Sequence, residues 1–228
     1  MIRVFVGFDP RETVAFHVLS QSIHAHASEP VAIAPIALHQ LRSVFRRQRD
    51  PLQSTDFSFS RFLAPYLCDY EGWALFVDCD MLFLDDIAKL WSLRDDRYAV
   101  MVVKHDYVPH DAVKFLGAVQ TAYPKKNWSS LMLLNNARCR ALTPEYVETA
   151  SGLDLHQFKW LGDDSLIGSL PQRWNHLVGE YEYSADAGNV HFTVGGPYFT
   201  EYRNSDYAAD WFSARDAAVS VEQRRSGP

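Results

Sequence analysis

The sequence is poor in cysteine: three residues in 228, Cys68, Cys79 and Cys139. An odd number without Cys-x-x-Cys spacing supports neither a disulfide framework nor a cysteine zinc site. This usage suits a reducing cytoplasm. No apolar run approaches the ~20 residues of a membrane-spanning helix. No basic stretch with a long apolar segment precedes the first strand pattern, so no signal peptide is expected. Excess positive charge is also missing. The net charge is −6, which gives no global attraction to nucleic acid or to an anionic bilayer. There is no internal repeat, low-complexity block or Pro/Gly linker, so one domain over residues 1–228 is expected. What remains is 47% hydrophobic and 22% charged, ordinary for a globular chain long enough to bury a core unaided.

The chain opens with a short, β-branched apolar run over residues 2–8, which reads as a buried strand ended by Asp9-Pro10. Pro10 suits the first turn of a helix, and Glu12 adds negative charge there. Val14, Phe16, Val18, Leu19, Ser22 and Ile23 continue a helical repeat to about residue 25. Residues 31–36 read as a second strand, so the opening is β-α-β, the mark of a largely parallel sheet. A helix is expected from about Phe59 to Cys68, interrupted or tightened by Pro65. Further strands are expected over residues 74–77, 98–103 and 130–134. Thr143-Pro144 reads as the cap and first position of a helix. Gly162-Asp163-Asp164 reads as the opening of a helical stretch through Leu170. Residues 189–199 read as a strand and a glycine turn, and a helix fraying into a polar tail begins near Ser205. Residues 104–128 read as a loop near an active site.

Four constellations carry chemistry. Asp78-Cys79-Asp80 follows directly on the strand Ala74-Leu75-Phe76-Val77, and ligands of open α/β sheets sit beyond such strand ends. Extended geometry there would turn both carboxylates the same way. Two hard oxygen ligands on one side suit Mg²⁺ or Mn²⁺, and the alternative is a pair of solvated aspartates. His191, before Gly195-Gly196-Pro197, offers an imidazole as a third ligand. The glycines would let backbone amides approach a phosphate; the alternative is a satisfied histidine beside a turn. Arg61, near a helix start, suits a forked pair with phosphate or carboxylate. Asp163 and Asp164 would either cap a helix or face a reacting sugar. Arg46, Arg47 and Arg49 read as a solvated face or mobile loop, with an anionic acceptor as the minor alternative. Asn127-Trp128-Ser129 matches a glycosylation sequon without any sign of secretion.

Taken in order over roughly residues 2–200, these pieces resemble glycosyltransferases of the GT-A fold, especially the family-8-like group of glycogenin and bacterial galactosyltransferases. Val6-Gly7-Phe8-Asp9 stands where that family holds the nucleotide base. Phe59-Ser60-Arg61-Phe62-Leu63-Ala64-Pro65-Tyr66-Leu67 looks like its helix before the metal motif, and Leu75-Phe76-Val77-Asp78-Cys79-Asp80-Met81 like its Asp-x-Asp strand. Ser129-Ser130-Leu131-Met132-Leu133-Leu134-Asn135 is similar to its small-residue pair and following strand. Gly162-Asp163-Asp164 takes the place of its Asp-Gln-Asp turn, and His191 that of its late histidine ligand. Three departures stand out. Gly196-Pro197-Tyr198 replaces the usual Lys-Pro-Trp, Trp128 occupies the place of an asparagine with Asn127 one place away, and Asp163 sits where the family often has glutamine.

The resemblance implies an α/β chain, a single GT-A-type (Rossmann-like) domain with a mostly parallel twisted central sheet flanked by helices. Residues from about 1 to 100 would form the donor half and from about 101 to 204 the acceptor and metal-completing half, with a C-terminal helix and tail over 205–228. It implies a metal-dependent, retaining transfer from a nucleoside-diphosphate sugar, with a UDP-sugar first among donors and a carbohydrate, lipid-linked or protein acceptor. Mn²⁺ or Mg²⁺ would sit on Asp78, Asp80 and His191. Gly7, Phe8, Asp9, Arg61, Asp78, Cys79, Asp80, Ser129, Ser130, Gly195 and Gly196 would bind the donor, and Asp163 or Asp164 would act on the sugar. The rival readings are a sugar-nucleotide nucleotidyltransferase, which normally has a Gly-rich basic loop that Gly7-Phe8-Asp9-Pro10-Arg11 lacks, and a non-catalytic nucleotide-sugar-binding domain. No nucleic-acid partner and no transmembrane segment are expected.

Overall fold

The computed structural model describes residues 1–50, 53–106 and 124–220. Most of the loop expected over 104–128 lies outside the described residues. Strand β1 (Ile2–Gly7) pairs in parallel with β2 (Val31–Ile36) on one side and β3 (Trp73–Val77) on the other. Beyond β3 come β6 (Leu131–Asn135), β5 (Val100–Val102) and β7 (Ile167–Ser169), giving the order β2-β1-β3-β6-β5-β7. Only β6 runs against the others in this sheet. The sheet is therefore mostly parallel, as expected. A second sheet joins β4 (Met81–Phe83), β9 (Asn189–His191) and β8 (His176–Leu177), in that order.

The central strands are apolar because helices or loops cover both faces. Ala74, Leu75, Phe76 and Val77 are fully buried; each of the three larger side chains contributes about 1.5–3 kcal/mol by leaving water. Helix α1 (Thr13–His26) buries Ala15, Val18, Leu19, Ser22 and Ile23, a spacing that follows its 3.6-residue period. Ala15, Leu19 and Ile23 join the main core, while Val18 joins a second cluster with Leu82, Val190, Phe192 and Trp211. Trp211 comes from helix α5 (Ala208–Val219). The shorter helices are α2 (Ile87–Trp91), α3 (Pro144–Thr149) and α4 (Gly152–His156). Thr143 caps α3, accepting from the Tyr146 amide, with Pro144 at its first position as read.

Two expected elements take another form. The helix expected over 59–68 is a pair of 3₁₀ turns, Ser60–Leu63 and Tyr66–Cys68, divided at Pro65; proline cannot donate to a continuing ladder. The helical stretch expected after Gly162 stops at one 3₁₀ turn, Asp164–Leu166, and becomes β7. Ile167 is β-branched, and its neighbour Gly168 lies against Tyr98 and Met101, where a Cβ would be 2.6 Å from the Tyr98 ring. Sheet pairing with β5 thereby prevails over the helical pattern.

The parallel strands deliver their carboxyl ends, and β6 its beginning, to one rim of the sheet. The chain leaves β1 toward β2 on one side and returns to β3 on the other. The crevice between the ends of β1 and β3 is thus a topological switch point, the usual ligand position in an open α/β sheet. Asp9 and Asp78 follow those two strands.

Candidate functional site

Beyond β3 the chain does not stay extended: Cys79 and Asp80 form a turn into β4. The two carboxylates nevertheless converge, because β9 brings the third group. β9 lies antiparallel on β4 with Met81 opposite His191, and the Phe192 amide donates to the Asp80 carbonyl at 2.9 Å. One ligand atom each of Asp78, Asp80 and His191 lies within 4.8 Å of the others. His191 Nε2 is 3.3 Å from Asp80 Oδ1. Asp78 and His191 are buried and Asp80 is half-buried. Two carboxylates and an imidazole converging in a partly buried place fit a divalent cation that keeps further positions for ligand oxygens.

Arg61 completes the charge pattern. Its guanidinium is buried, with Nη1 2.7 Å from Asp78 Oδ1 and 3.0 Å from the Ser129 carbonyl. The phenyl rings of Phe57 and Phe76 lie 5.2 Å from its carbon centre. Arg61 therefore holds Asp78 from behind and offsets one of the two acidic charges. Cys79, between the aspartates, points into the main core. Burial, with the surrounding acids in support, pushes its thiol well above the usual range, which keeps it protonated and unsuited to a metal.

The remaining sequence-derived residues divide by what they touch. Asp9 is buried and caps the 3₁₀ turn Pro10–Glu12, accepting from the Arg11 amide and side chain and from the Asp56 amide. Burial alone would raise its carboxyl, but those bonds outweigh it and the net shift is downward. Gly7 makes room for Phe57, whose ring would lie 2.3 Å from an added Cβ. Phe8 is half-buried, edge-on to Phe16 at 5.6 Å. Ser129 Oγ is 2.7 Å from His156 Nδ1, and the Ser130 carbonyl accepts from the Asp78 amide at 2.9 Å. Gly195 and Gly196 sit under aromatic rings: an added Cβ would lie 2.3 Å from Tyr202 and 2.1 Å from Tyr198. Asp163 is exposed and caps its turn through the Ser165 amide and hydroxyl. Asp164, also exposed, pairs with Lys125 at 2.6 Å.

The arginine-rich segment is braced against the fold. Arg47 donates to the carbonyls of Val147 and Ala150 and lies 3.8 Å over Phe59. Arg46 is held by Glu148.

Some residues gain significance only from the structure. Glu12 is buried and bonded to the Tyr198 hydroxyl. Burial, then the charge of Asp80, pushes its carboxyl up to about 8. Asn175 Oδ1 is 3.1 Å from His191 Nδ1. His105 Nδ1 is 2.8 Å from the Tyr181 hydroxyl, and the His105 carbonyl accepts from the Trp128 indole. None of these carries a local pattern in sequence; a buried acid one turn into a helix was the only available signal, and it read as an ordinary first-turn charge.

No family model matches the chain. Protein CDI of Arabidopsis thaliana is 48% identical over 220 residues, covering 92% of this chain and 85% of that protein. Among solved structures, the WbbM bifunctional glycosyltransferase superposes with a TM-score of 0.64 at 15% identity, over 94% of this chain and 49% of its own. The glycosyltransferase GlyE of Streptococcus pneumoniae gives 0.61 at 13% identity, over 94% and 60% respectively. The galactosyltransferase LgtC, solved with donor and acceptor sugar analogues, gives 0.63 at 11% identity, over 97% and 98%. The chain thus spans about half of WbbM and three-fifths of GlyE, but almost all of LgtC. The fold it shares with them is the GT-A fold. Among the described residues, no helix is long and apolar enough to cross a membrane, and all three cysteines are free and buried.

Proposed function

We propose that this chain, which belongs to the family of Arabidopsis thaliana protein CDI and has the GT-A fold, is a metal-dependent glycosyltransferase. It would move a sugar from a nucleoside diphosphate to an acceptor. The observation that carries this reading is the convergence of Asp78, Asp80 and His191 at the rim where an α/β sheet binds ligands. Asp78, Asp80 and His191 would hold Mn²⁺ or Mg²⁺, and the imidazole favours Mn²⁺. Such an ion, when bound, stabilises the negative charge that develops on a departing diphosphate.

The chain's own residues do the rest. Arg61 holds Asp78 in place by direct contact. The crevice between β1 and β3, floored by Phe8 and Asp9, receives the nucleoside. The backbone beside Gly195 and Gly196 lines the diphosphate, without the lysine that the family-8-like group places there. Asp163 or Asp164 faces the sugar, and the residues following β7 form the acceptor side. By its resemblance to that group we read the transfer as retaining and the donor as a UDP-sugar. The donor half over about 1–100 and the acceptor half over about 101–204 would then form one catalytic domain. We place the protein in the cytoplasm, on the support of its three free cysteines.

A thermal-shift series with UDP-, GDP- and dTDP-sugars, each with Mn²⁺ or with EDTA, tests the reading. A ligand at about 100 times its dissociation constant stabilises the fold by ~2.7 kcal/mol. A rise in Tm for one nucleotide class, dependent on Mn²⁺, is expected. No shift with any nucleotide sugar would refute a donor site.

A further inference from the structure

If His191 is to serve a cation, one of its two ring nitrogens must present a lone pair, and the protein must decide which. The decision starts at Ser130. Its hydroxyl has one proton, and Oγ spends it on the Asn127 carbonyl at 2.7 Å. Any further partner of that oxygen must be a donor. Asn175 lies 2.9 Å from the same oxygen, so it presents its NH₂ end there. Its other contact on that side, 3.4 Å from the Asn127 carbonyl, also calls for a donor. The amide is therefore oriented by proton count: Nδ2 toward Ser130, Oδ1 toward His191.

An amide oxygen carries no proton. His191 Nδ1, 3.1 Å from Asn175 Oδ1, must then supply one. In the neutral imidazole this leaves the lone pair on Nε2, the nitrogen that lies 3.3 Å from Asp80 Oδ1. The same asparagine reaches the other ligand as well, because the Ser130 carbonyl accepts from the Asp78 amide. Asn175 is completely buried, at the end of the 3₁₀ turn Gln172–Asn175 just before β8, which pairs with the strand carrying His191.

We infer that Asn175 is a positioning residue for the cation site, fixing His191 in its Nδ1–H tautomer with Nε2 aimed at Asp80. The inference rests on the reading of Asp78, Asp80 and His191 as ligands. Asn175 itself is not among the three candidate ligands. Groups that hold a ligating histidine from behind typically influence metal affinity by about 10- to 100-fold.

The test has two arms. In the first, histidine ¹H–¹⁵N spectra are recorded on the metal-free, ¹⁵N-labelled full chain at pH ~8, above the ordinary imidazole range. The His191 signals are identified by their absence from His191→Ala. A protonated Nδ1 and an unprotonated Nε2 are expected; the reverse pattern overturns the inference without reference to any metal. In the second, Mn²⁺ alone is titrated by calorimetry. Asn175→Ala should lower affinity about 10- to 100-fold and mix the tautomers. Asn175→Asp keeps an acceptor for Nδ1–H, with the Ser130 hydroxyl turning its proton toward the new carboxylate, and should keep the parent's tautomer. A folded Asn175→Ala that binds Mn²⁺ like the parent overturns the inference while the cation reading stands. A parent protein that takes up no Mn²⁺ overturns the cation reading itself. Should Asn175→Ala not fold, the parent's spectrum still decides the tautomer.

Discussion

Glu12 shows how a single buried group shapes behaviour that composition does not reveal. Its carboxyl has an ordinary value near 4.5 and is raised to about 8 in the fold, first by burial and then by Asp80. The folded state therefore binds this proton more tightly than the unfolded chain does. The stability it contributes is complete below pH 4.5 and is lost as pH rises through about 8. Denaturant melts of the metal-free protein across that window should show falling stability. Glu12→Gln, which cannot ionise, should flatten the fall; an unchanged slope would show that Glu12 is not the group responsible. Asp163 and Asp164 call for a different separation. Asparagine is as good a cap as aspartate, so Asp163→Asn should leave Tm nearly unchanged. If Asp163 is the residue facing the sugar, turnover should still fall by about 100-fold or more, with donor affinity retained. Asp164→Asn removes an exposed pair with Lys125, and the same assay decides its role. Normal turnover in both variants would remove this turn from the chemistry. At this scale the sequence displayed the three candidate ligands, since Asp-x-Asp after an apolar strand is a local pattern. Asn175 and Glu12 were illegible because their significance lies in contacts with residues 16 and 186 positions away.

At the scale of elements, the junctions explain what was legible. β1, β2 and the helix between them could be read because each has its own apolar period and its own punctuation at Asp9-Pro10. β7 could not, because three residues after two acidic positions look like a continuing helix until Val100–Val102 supplies a partner strand. β4 and β8 are too short for any period, yet β4 is the strand that draws His191 to Asp80. The late loop is similar. Its glycines read as openings for phosphate, and the aromatic rings of Tyr198 and Tyr202 lie close to them. Gly196→Ala would drive a methyl group into Tyr198, the residue that bonds Glu12. Overpacking of this kind costs about 1–3 kcal/mol. The melting temperature should fall, and Mn²⁺ affinity should fall with it because the loop follows directly on His191. A Gly196→Ala protein with the parent's Tm would show that the Tyr198 ring moves aside freely.

Over the whole molecule, six strands and their covering helices bring to one rim residues that are far apart in sequence. Asp78 and Asp80 come from the end of β3, His191 from the second sheet 111 positions later, and Arg61 from a turn beneath them. The central claim is that this rim holds a cation, and through it a nucleoside diphosphate. Calorimetric titration of UDP into the full chain tests it most directly, with Mn²⁺, with EDTA, and with Asp80→Asn in Mn²⁺. The account predicts tight binding with Mn²⁺ in the parent, a loss of at least ~10-fold with EDTA, and a similar loss in Asp80→Asn without loss of fold. Equal UDP affinity in all three conditions would contradict it.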